Sequence, residues 1–415
     1  MKKINYITDE VIYEEKLDNG LKVFLYPTNK TKNFYATVST FFGAEVTKYK
    51  KGNKTYEITK GSAHFLEHRV MDFTKNLEAM KQISDYGSLA NAYTTYNGTN
   101  YNIFGHENIL ENLRLLFDRV FKADIKEEDV EAERGIILEE YYMSQSDPYY
   151  ILEIKTFENA FNELYIKYPV IGTPKGIKTV TAEELNRIYK DFYTPNNMFI
   201  VVCGNFNKDE VLNYIKEYTK DIKQDNESPK IIKPKEEAKP QIEYEELTLG
   251  LNEPKIGIIY KFETPKKVDK NKYRLAIDFA LKETFGKTGE AFNELSKNNI
   301  ERYTYGLEEL DNYNAIYFKA STDKLETFQK LIEKHLKNLK LNKDSLERKK
   351  RAFLKPFILT FEDITSVEDI ITTDMFYYKK PMYKREEIIN SLTVTEANNY
   401  LKQIDLNNKS IFILK

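Results

Sequence analysis

The chain has 415 residues, too many for one compact core and comfortable for two domains of about 200 residues each. Its 63 Lys and Arg residues nearly balance its 65 Asp and Glu residues, which excludes an overall attraction to nucleic acid or to an anionic membrane. The single Cys203 excludes an internal disulfide framework, and because it follows an apolar run we expect a buried thiol. The first residues show no apolar signal region, and no apolar run approaches the roughly 20 residues that span a bilayer. We therefore expect a soluble cytoplasmic protein.

The first predicted elements are two strands and a loop. Residues 22–26 and 35–42 are rich in β-branched and aromatic side chains, which predicts strands. Residues 46–60 are charged and without a clear period, which predicts a loop. This loop leads into a predicted helix from about Ser62 to Met71.

This predicted helix carries His64, Glu67 and His68 in the order H-x-x-E-H, the inverted zinc-peptidase motif. Positions i and i+4 share one face of a helix, so both imidazoles can point at one ion. Two imidazoles and one carboxylate would leave a coordination position open, as catalytic zinc requires. Glu67 lies on the turn between the histidines and can act on water at such a site. The alternative is a surface helix with two solvated histidines.

A hairpin is the next strong signal. A helix over about 76–85 should end at Gly87, and the runs 88–96 and 99–104 flank Asn97-Gly98, a typical hairpin turn. Apolar residues between 110 and 121 then repeat at helical spacing. His106 precedes that helix and is expected to be a polar end residue.

A long helix is predicted from Glu127 to about Ser146, where Pro148 should stop it. Glu133 and Glu140 are seven residues apart, nearly two helical turns, so they share one face. Taken without the histidines, these residues indicate no more than a solvated acidic helix.

The remaining pattern predicts a duplicated domain. Thr181 opens a helix to about Tyr193, a strand follows over 198–203, and a helix covers about 209–221. Residues 223–241 are rich in Pro, Lys and Glu and predict a linker, so the predicted domains are 1–222 and 242–415. Residues 177–196 match 389–408 at an offset of 212, which indicates two copies of one domain. The second copy has no histidine in its counterpart of the motif helix, and His335 is expected at the surface.

Taken together, the H-x-x-E-H motif, Asn91-Ala92-Tyr93-Thr94, Glu133 to Glu140 and 193–198 resemble the pitrilysin/insulinase family of zinc peptidases. The chain is most similar to its short two-domain subunits, such as mitochondrial processing peptidase and small bacterial members. The resemblance implies an α+β fold with two homologous roll domains, each a mainly antiparallel sheet with helices on one face. Two such chains would form a clamshell around a chamber.

The resemblance also implies roles for individual residues. His64, His68 and Glu140 would bind Zn²⁺, with Glu139 as the competing third ligand. Glu67 would be the catalytic base, and Glu133 would support the site from behind the ligands.

Substrate contacts follow from the same resemblance. The strand edge Leu89, Ala90, Asn91 and Ala92 would pair with a peptide, and Tyr303 would contact the substrate at the opposite half's zinc. The family pairs this tyrosine with an arginine seven residues earlier, where this chain has Ser296. We therefore expect a heterodimer whose homologous partner supplies Arg and Tyr, with a homodimer as the alternative.

The expected function is a zinc endopeptidase acting on short or unfolded peptides. One alternative is a non-catalytic structural subunit of the same fold. Another has the same chemistry but a single substrate, as in the maturation of one peptide. Neither nucleic acid nor a membrane is an expected partner.

Overall fold

The computed structural model describes residues 1–5, 10–71, 77–225 and 227–415. The chain folds into two compact units, and each draws on separate parts of the sequence. The first unit contains Met1–Tyr142, Pro169–Lys233 and Phe357–Tyr383. The second contains Met143–Tyr168, Pro234–Pro356 and Lys384–Lys415. The predicted domains 1–222 and 242–415, with a linker at 223–241, stay a prediction about how the sequence was duplicated. Each compact unit consists of three separate segments, so the units do not test these boundaries.

The strands, in chain order, are β1 Lys2–Asn5, β2 Val11–Lys16, β3 Lys22–Pro27, β4 Phe34–Thr40, β5 Lys48–Lys51, β6 Lys54–Glu57, β7 Leu89–Thr94, β8 Thr99–Gly105, β9 Met198–Gly204, β10 Lys230–Ile231, β11 Tyr244–Leu247, β12 Lys255–Glu263, β13 Tyr303–Leu310, β14 Tyr313–Ser321 and β15 Lys409–Leu414. The α-helices are α1 Ser62–Val70, α2 Leu77–Asp85, α3 Ile109–Phe121, α4 Glu127–Ser144, α5 Pro148–Ala160, α6 Pro174–Thr179, α7 Ala182–Phe192, α8 Lys208–Thr219, α9 Lys270–Phe285, α10 Glu290–Lys297, α11 Leu325–Leu336, α12 Lys343–Thr360, α13 Ile364–Tyr378, α14 Arg385–Ser391 and α15 Val394–Leu401. Short 3₁₀ turns lie at Tyr165–Lys167 and Pro195–Asn197.

The sheet of the first unit has the order β1-β2-β3-β9-β4-β8-β7, and it is antiparallel except where β3 pairs with β9. One face carries the main core, where alternate strand residues such as Val23, Ala36 and Ile200 pack against apolar side chains of α1, α3 and α7. Because β7 is the last strand, one of its edges pairs with no strand in the described residues. The predicted α+β class and mainly antiparallel sheet are confirmed.

The opposite face of this sheet is covered by α13, which lies in the second half of the sequence. Phe24, Phe199 and Val201 pack there against Val367 and Met375. The sequence prediction placed helices on one face only, because it did not anticipate that a distant segment supplies a helix for the other.

The second unit repeats this plan. Its sheet has the order β11-β15-β12-β14-β13, with only β11 and β15 parallel among the described pairs. Here α5, from the first half of the sequence, covers the outer face, where Leu152 packs on Phe412 and Leu414. A Cβ on Gly257 would collide with the Thr156 hydroxyl of α5, so this close approach requires glycine. The two repeats therefore exchange equivalent helices, α5 for α13.

Two local predictions are wrong, the loop over residues 46–60 and the surface position of His335. Residues 46–60 contain the hairpin β5–β6 rather than a loop, and β10 from the predicted linker pairs with β5. The linker is also anchored, because the buried Glu236 carboxylate accepts a hydrogen bond from the fully buried Lys261 Nζ at 2.7 Å. His335 is buried rather than at the surface, with Nε2 3.3 Å from Glu294.

Cys203 is buried, as predicted. None of the described helices combines the length and the apolar character that crossing a bilayer requires.

Candidate metal centre on α1 and α4

The start of α1 is fixed from two sides. Gly61 caps the helix with φ 97°, and a Cβ there would lie 2.6 Å from the Ile171 carbonyl oxygen, so both conformation and contact require glycine. Glu184 of α7 accepts hydrogen bonds from the Thr59 N–H at 2.7 Å and the Ser62 hydroxyl at 3.2 Å. These contacts set the position from which the motif residues project.

The two motif histidines meet the carboxylate of α4. Nε2 of His64 and Nε2 of His68 each lie 3.7 Å from a carboxylate oxygen of Glu140. One ligand atom from each of the three residues lies within 4.8 Å of the others, and this is the single such group found among the described residues. Glu140 is exposed while both histidines are largely covered, so the group opens on the side of α4.

Glu133 contacts the other side of His68. Its Oε1 lies 2.9 Å from His68 Nδ1, so a proton on Nδ1 is donated to the carboxylate and Nε2 is left with its lone pair directed at Glu140. Glu133 is buried, and its second oxygen lies 3.4 Å from the Arg69 guanidinium. Arg69 also donates to the backbone oxygen of Asp129 at 2.9 Å. Glu133 thus contacts the far side of His68, whereas Glu140 lies near Nε2 of both histidines.

Burial sets the charge states of the site. Burial, together with the neighbouring His68, lowers the pKa of His64 to about 3, so its imidazole is neutral and can ligate a cation. For His68 burial also acts to lower the pKa, but the hydrogen bond to Glu133 and the charges of Glu67, Glu133 and Glu140 together raise it. Burial raises the pKa of Glu67, and the hydrogen bond from Thr94 opposes this shift.

The residues present fit a zinc ion. Tetrahedral ligands at about 2.0–2.1 Å from zinc lie about 3.4 Å apart, close to the 3.7 Å separations between the histidine nitrogens and Glu140. His64 Nδ1 is buried and has no hydrogen-bond partner in the described residues, so only Nε2 faces a possible ligand. Two imidazoles and one carboxylate with a carboxylate behind them form the donor set of a catalytic zinc site.

Glu67 lies beside this group and is held by the end of the edge strand. It is 9% exposed, and its Oε2 accepts a hydrogen bond from the Thr94 hydroxyl at 2.7 Å. Thr94 closes β7, so the strand predicted to receive a peptide also touches the predicted base.

The predicted substrate edge is open. Leu89 and Asn91 are exposed, while Ala90 and Ala92 turn towards the main core. The Ala92 N–H donates a local hydrogen bond to the Asn91 Oδ1 at 2.9 Å.

Tyr303 and Ser296 belong to the second unit. The Tyr303 hydroxyl donates to the Phe285 carbonyl oxygen at 2.5 Å, and its ring packs beside Tyr305 and Phe328. The Ser296 hydroxyl donates to Glu301 at 2.7 Å. The substrate role of Tyr303 stays a prediction, and its hydroxyl would have to leave Phe285 to fulfil it.

Two residues of the site were not assigned a role from the sequence. Thr94 was noted only as part of a motif, although strand alternation places it on the same face as Ala90 and Ala92. Arg69 follows His68 directly, and nothing in its sequence context indicates that the guanidinium is buried against Glu133.

Comparison with protein-family models gives two adjacent matches. Residues 55–174 match the model described as insulinase (peptidase family M16), and residues 179–353 match the model described as peptidase M16 inactive domain. The chain belongs to the insulinase family. Its H-x-x-E-H helix and Glu140 lie in the first matched region, and the second matched region is the one described as the inactive domain.

Curated relatives of this insulinase-family chain are named zinc proteases. The uncharacterized zinc protease YmfH of Bacillus subtilis is 27% identical over 72% of this chain and 71% of its own length. The zinc protease PqqE of Helicobacter pylori is 28% identical over 50% of this chain and 46% of its own length. Other curated zinc proteases are also matched over less than half of their own length.

Solved structures show the same fold. An M16-like peptidase from Alicyclobacillus acidocaldarius superposes with a TM-score of 0.89 at 20% identity, covering 97% of both chains. The periplasmic protease PqqL of Escherichia coli superposes with a TM-score of 0.75 at 18% identity, covering 97% of this chain and 47% of PqqL. This chain is therefore similar to about half of PqqL.

Proposed function

We propose that the chain is the catalytic subunit of a zinc-dependent endopeptidase that hydrolyses short or unfolded peptides. The observation that carries this proposal is the convergence of His64 Nε2, His68 Nε2 and the Glu140 carboxylate beside Glu67. The names of the curated relatives support the same chemistry.

In this proposal His64, His68 and Glu140 hold the ion, and Glu133 fixes the tautomer and orientation of His68. When bound, zinc supplies a Lewis acid that polarises the scissile carbonyl and acidifies water. Glu67 accepts a proton from the attacking water and delivers it to the leaving amine, a general acid–base role. Its burial supports this role, because a raised pKa brings a carboxyl closer to the neutral range in which it can exchange protons.

The open edge of β7 supports peptide capture by strand addition. Backbone pairing along Leu89–Ala92 would recognise the main chain of an extended peptide and give little side-chain selectivity. Folded proteins rarely offer a free extended segment, so we propose short or unfolded peptides as the substrate class.

We also propose that the chain works as half of a two-half assembly. It corresponds to 47% of PqqL, and a structure solved for the first half of PqqL covers 97% of this chain. A homologous partner with Arg and Tyr is the proposed second half, since Ser296 occupies the arginine position. The cytoplasmic location predicted from the sequence stays a prediction.

The first test is cleavage of a fluorescence-quenched unfolded peptide by the purified chain, with and without a zinc chelator. We expect chelator-sensitive cleavage, or one zinc per chain with cleavage appearing only when a partner is added. Absence of both cleavage and bound zinc would instead support a non-catalytic structural subunit.

The variant Glu67→Gln separates metal binding from chemistry. We expect it to retain zinc and to lose at least about 100-fold in turnover, because the amide cannot accept the proton from water. Zinc content by elemental analysis is the control. Wild-type turnover in this variant would show that Glu67 is not the base.

A further inference from the structure

We infer that Thr94 is a positioning residue that holds the Glu67 carboxylate in its working orientation. This inference rests on the proposed function and extends it from the residues that bind metal to the one that orients the base. The last residue of β7 would then orient the catalytic base, while the edge of the same strand binds the peptide.

The contact is short, directional and partly enclosed. The Thr94 hydroxyl donates to Glu67 Oε2 at 2.7 Å. Glu67 itself is 9% exposed, so few water molecules can replace the hydroxyl. A buried carboxylate without its donor would turn to find another partner, because an unsatisfied buried charge is costly.

Thr94 is itself restrained. It is the last residue of β7, and its hydroxyl lies 3.5 Å from that of Thr99, the residue opposite it on β8. Thr99 is fully buried and donates to the Phe42 carbonyl oxygen at 2.9 Å. The hairpin β7–β8 therefore holds the Thr94 hydroxyl in place, and this hydroxyl in turn orients the Glu67 carboxylate.

This arrangement links substrate capture to chemistry. A peptide that pairs along Leu89–Ala92 would bind the same strand whose last residue holds Glu67. Thr94 needs no contact with zinc or with the substrate to influence the rate, since it acts through the carboxylate it orients.

The test compares Thr94→Val with Thr94→Ser. Valine keeps the size and β-branched shape of threonine but has no hydroxyl, whereas serine keeps the hydroxyl. We expect kcat to fall about 10- to 100-fold in Thr94→Val with KM and zinc affinity close to wild type, the loss that follows from removing one hydrogen bond to a charged group. Thr94→Ser should restore most of the wild-type kcat.

Thr37→Val is the matched control. Thr37 donates to the buried Glu368 carboxylate at 2.9 Å on the opposite face of the same sheet, so this variant loses the same kind of hydrogen bond away from the site. Its kcat per folded molecule should equal wild type. A parallel fall in both valine variants would attribute the effect to general loosening of the sheet and overturn the inference.

A second readout does not depend on turnover. Crystal structures of the zinc-loaded wild type and Thr94→Val should show the Glu67 carboxylate displaced only in the variant. An unmoved carboxylate, wild-type kcat or loss of zinc in Thr94→Val would each overturn the positioning role. If the wild type cleaves nothing even with a partner, the proposed function fails, while a displaced Glu67 would still support the contact itself.

Discussion

The two histidines of the motif, although equivalent in the sequence pattern, are held differently. His68 is oriented by a carboxylate at 2.9 Å, whereas His64 Nδ1 is buried without a hydrogen-bond partner in the described residues. A hydrogen bond to Nδ1 therefore orients the His68 ring, whereas the His64 ring has no such bond within the described residues. Removing the carboxylate behind His68 should weaken metal binding without touching a ligand.

Glu133→Gln tests this support. We expect zinc affinity to fall about 10- to 100-fold, the usual effect of losing an outer carboxylate behind a metal-binding histidine. Competition with a chromophoric chelator measures the affinity. Glu128→Gln, at an exposed position on the same helix, is the control, and equal affinities in all three proteins would contradict the role of Glu133.

Glu140→Gln distinguishes the third ligand from its neighbour. Because Glu140 lies 3.7 Å from both histidine nitrogens, we expect its loss to lower zinc affinity by more than about 100-fold, beyond the effect of an outer residue. Glu139→Gln should bind zinc like wild type. Elemental analysis after dialysis gives zinc per chain, and the reverse result would make Glu139 the ligand.

Much of this site follows from residue spacing. An i, i+4 pair and a seven-residue separation place His64, His68, Glu133 and Glu140 on two helix faces, and the structure brings those faces together. Spacing does not reveal that Glu133 is buried and Glu140 exposed, because this depends on packing of α4 against α1. The contact between Thr94 and Glu67 also depends on tertiary packing, because the two residues are 27 positions apart in the sequence, so spacing does not predict it.

Among the elements, α13 contacts the first sheet through a buried glutamate, Glu368. The fully buried Glu368 accepts hydrogen bonds from Thr37 at 2.9 Å, from Asn100 at 3.3 Å and from Thr372. Burial, with a smaller contribution from Asp369, raises the pKa of Glu368 to about 7. This carboxyl is therefore a titrating group inside the buried interface between α13 and the first sheet.

The raised pKa makes stability depend on pH. A glutamate in the unfolded chain titrates near about 4.3, so between that pH and about 7 the folded state binds more protons than the unfolded state. The contribution of Glu368 to the stability of the folded state is fully present below about pH 4.3 and is lost as the pH rises through about 7. The whole contribution of this carboxyl amounts to roughly 4 kcal/mol in the free energy of unfolding.

Glu368→Gln should remove this dependence. We expect the variant and wild type to have similar free energies of unfolding near pH 4, and the variant to be more stable by up to roughly 4 kcal/mol at pH 8. Urea unfolding followed by circular dichroism measures both. Glu362→Gln, at an exposed position before α13, is the control, and a Glu368→Gln protein with the wild-type pH profile would contradict the prediction.

Elements with a clear period were predicted well, and those without one were not. The helices α1, α3 and α4 and the hairpin β7–β8 lie within a few residues of their predicted bounds. The hairpin β5–β6 was missed because its strands are short, rich in lysine and paired with β10, which is about 180 residues away. His335 was misplaced because its burial comes from tertiary packing rather than from the polarity of α11.

For the whole molecule, Ser296 makes a specific prediction about assembly. If the missing arginine limits activity, Ser296→Arg should raise kcat/KM of the chain alone by about 10-fold or more, the effect of one charge-assisted hydrogen bond in the transition state. Light scattering measures the oligomeric state alongside. Ser391→Arg, an exposed serine elsewhere in the second unit, is the control, and a fully active wild-type homodimer would contradict the heterodimer prediction.

The exchange of α5 and α13 has a consequence for biosynthesis. The first sheet keeps one apolar face uncovered until residue 378 has left the ribosome, even though its last main strand ends at Gly204. At roughly 5–20 residues per second, this interval lasts on the order of 10 s. During it the nascent chain exposes Phe24, Phe199 and Val201, which makes it a substrate for chaperones and proteases. A frameshift or stop codon before α13 would therefore leave the first sheet without this cover, although His64, His68 and Glu140 had already been translated.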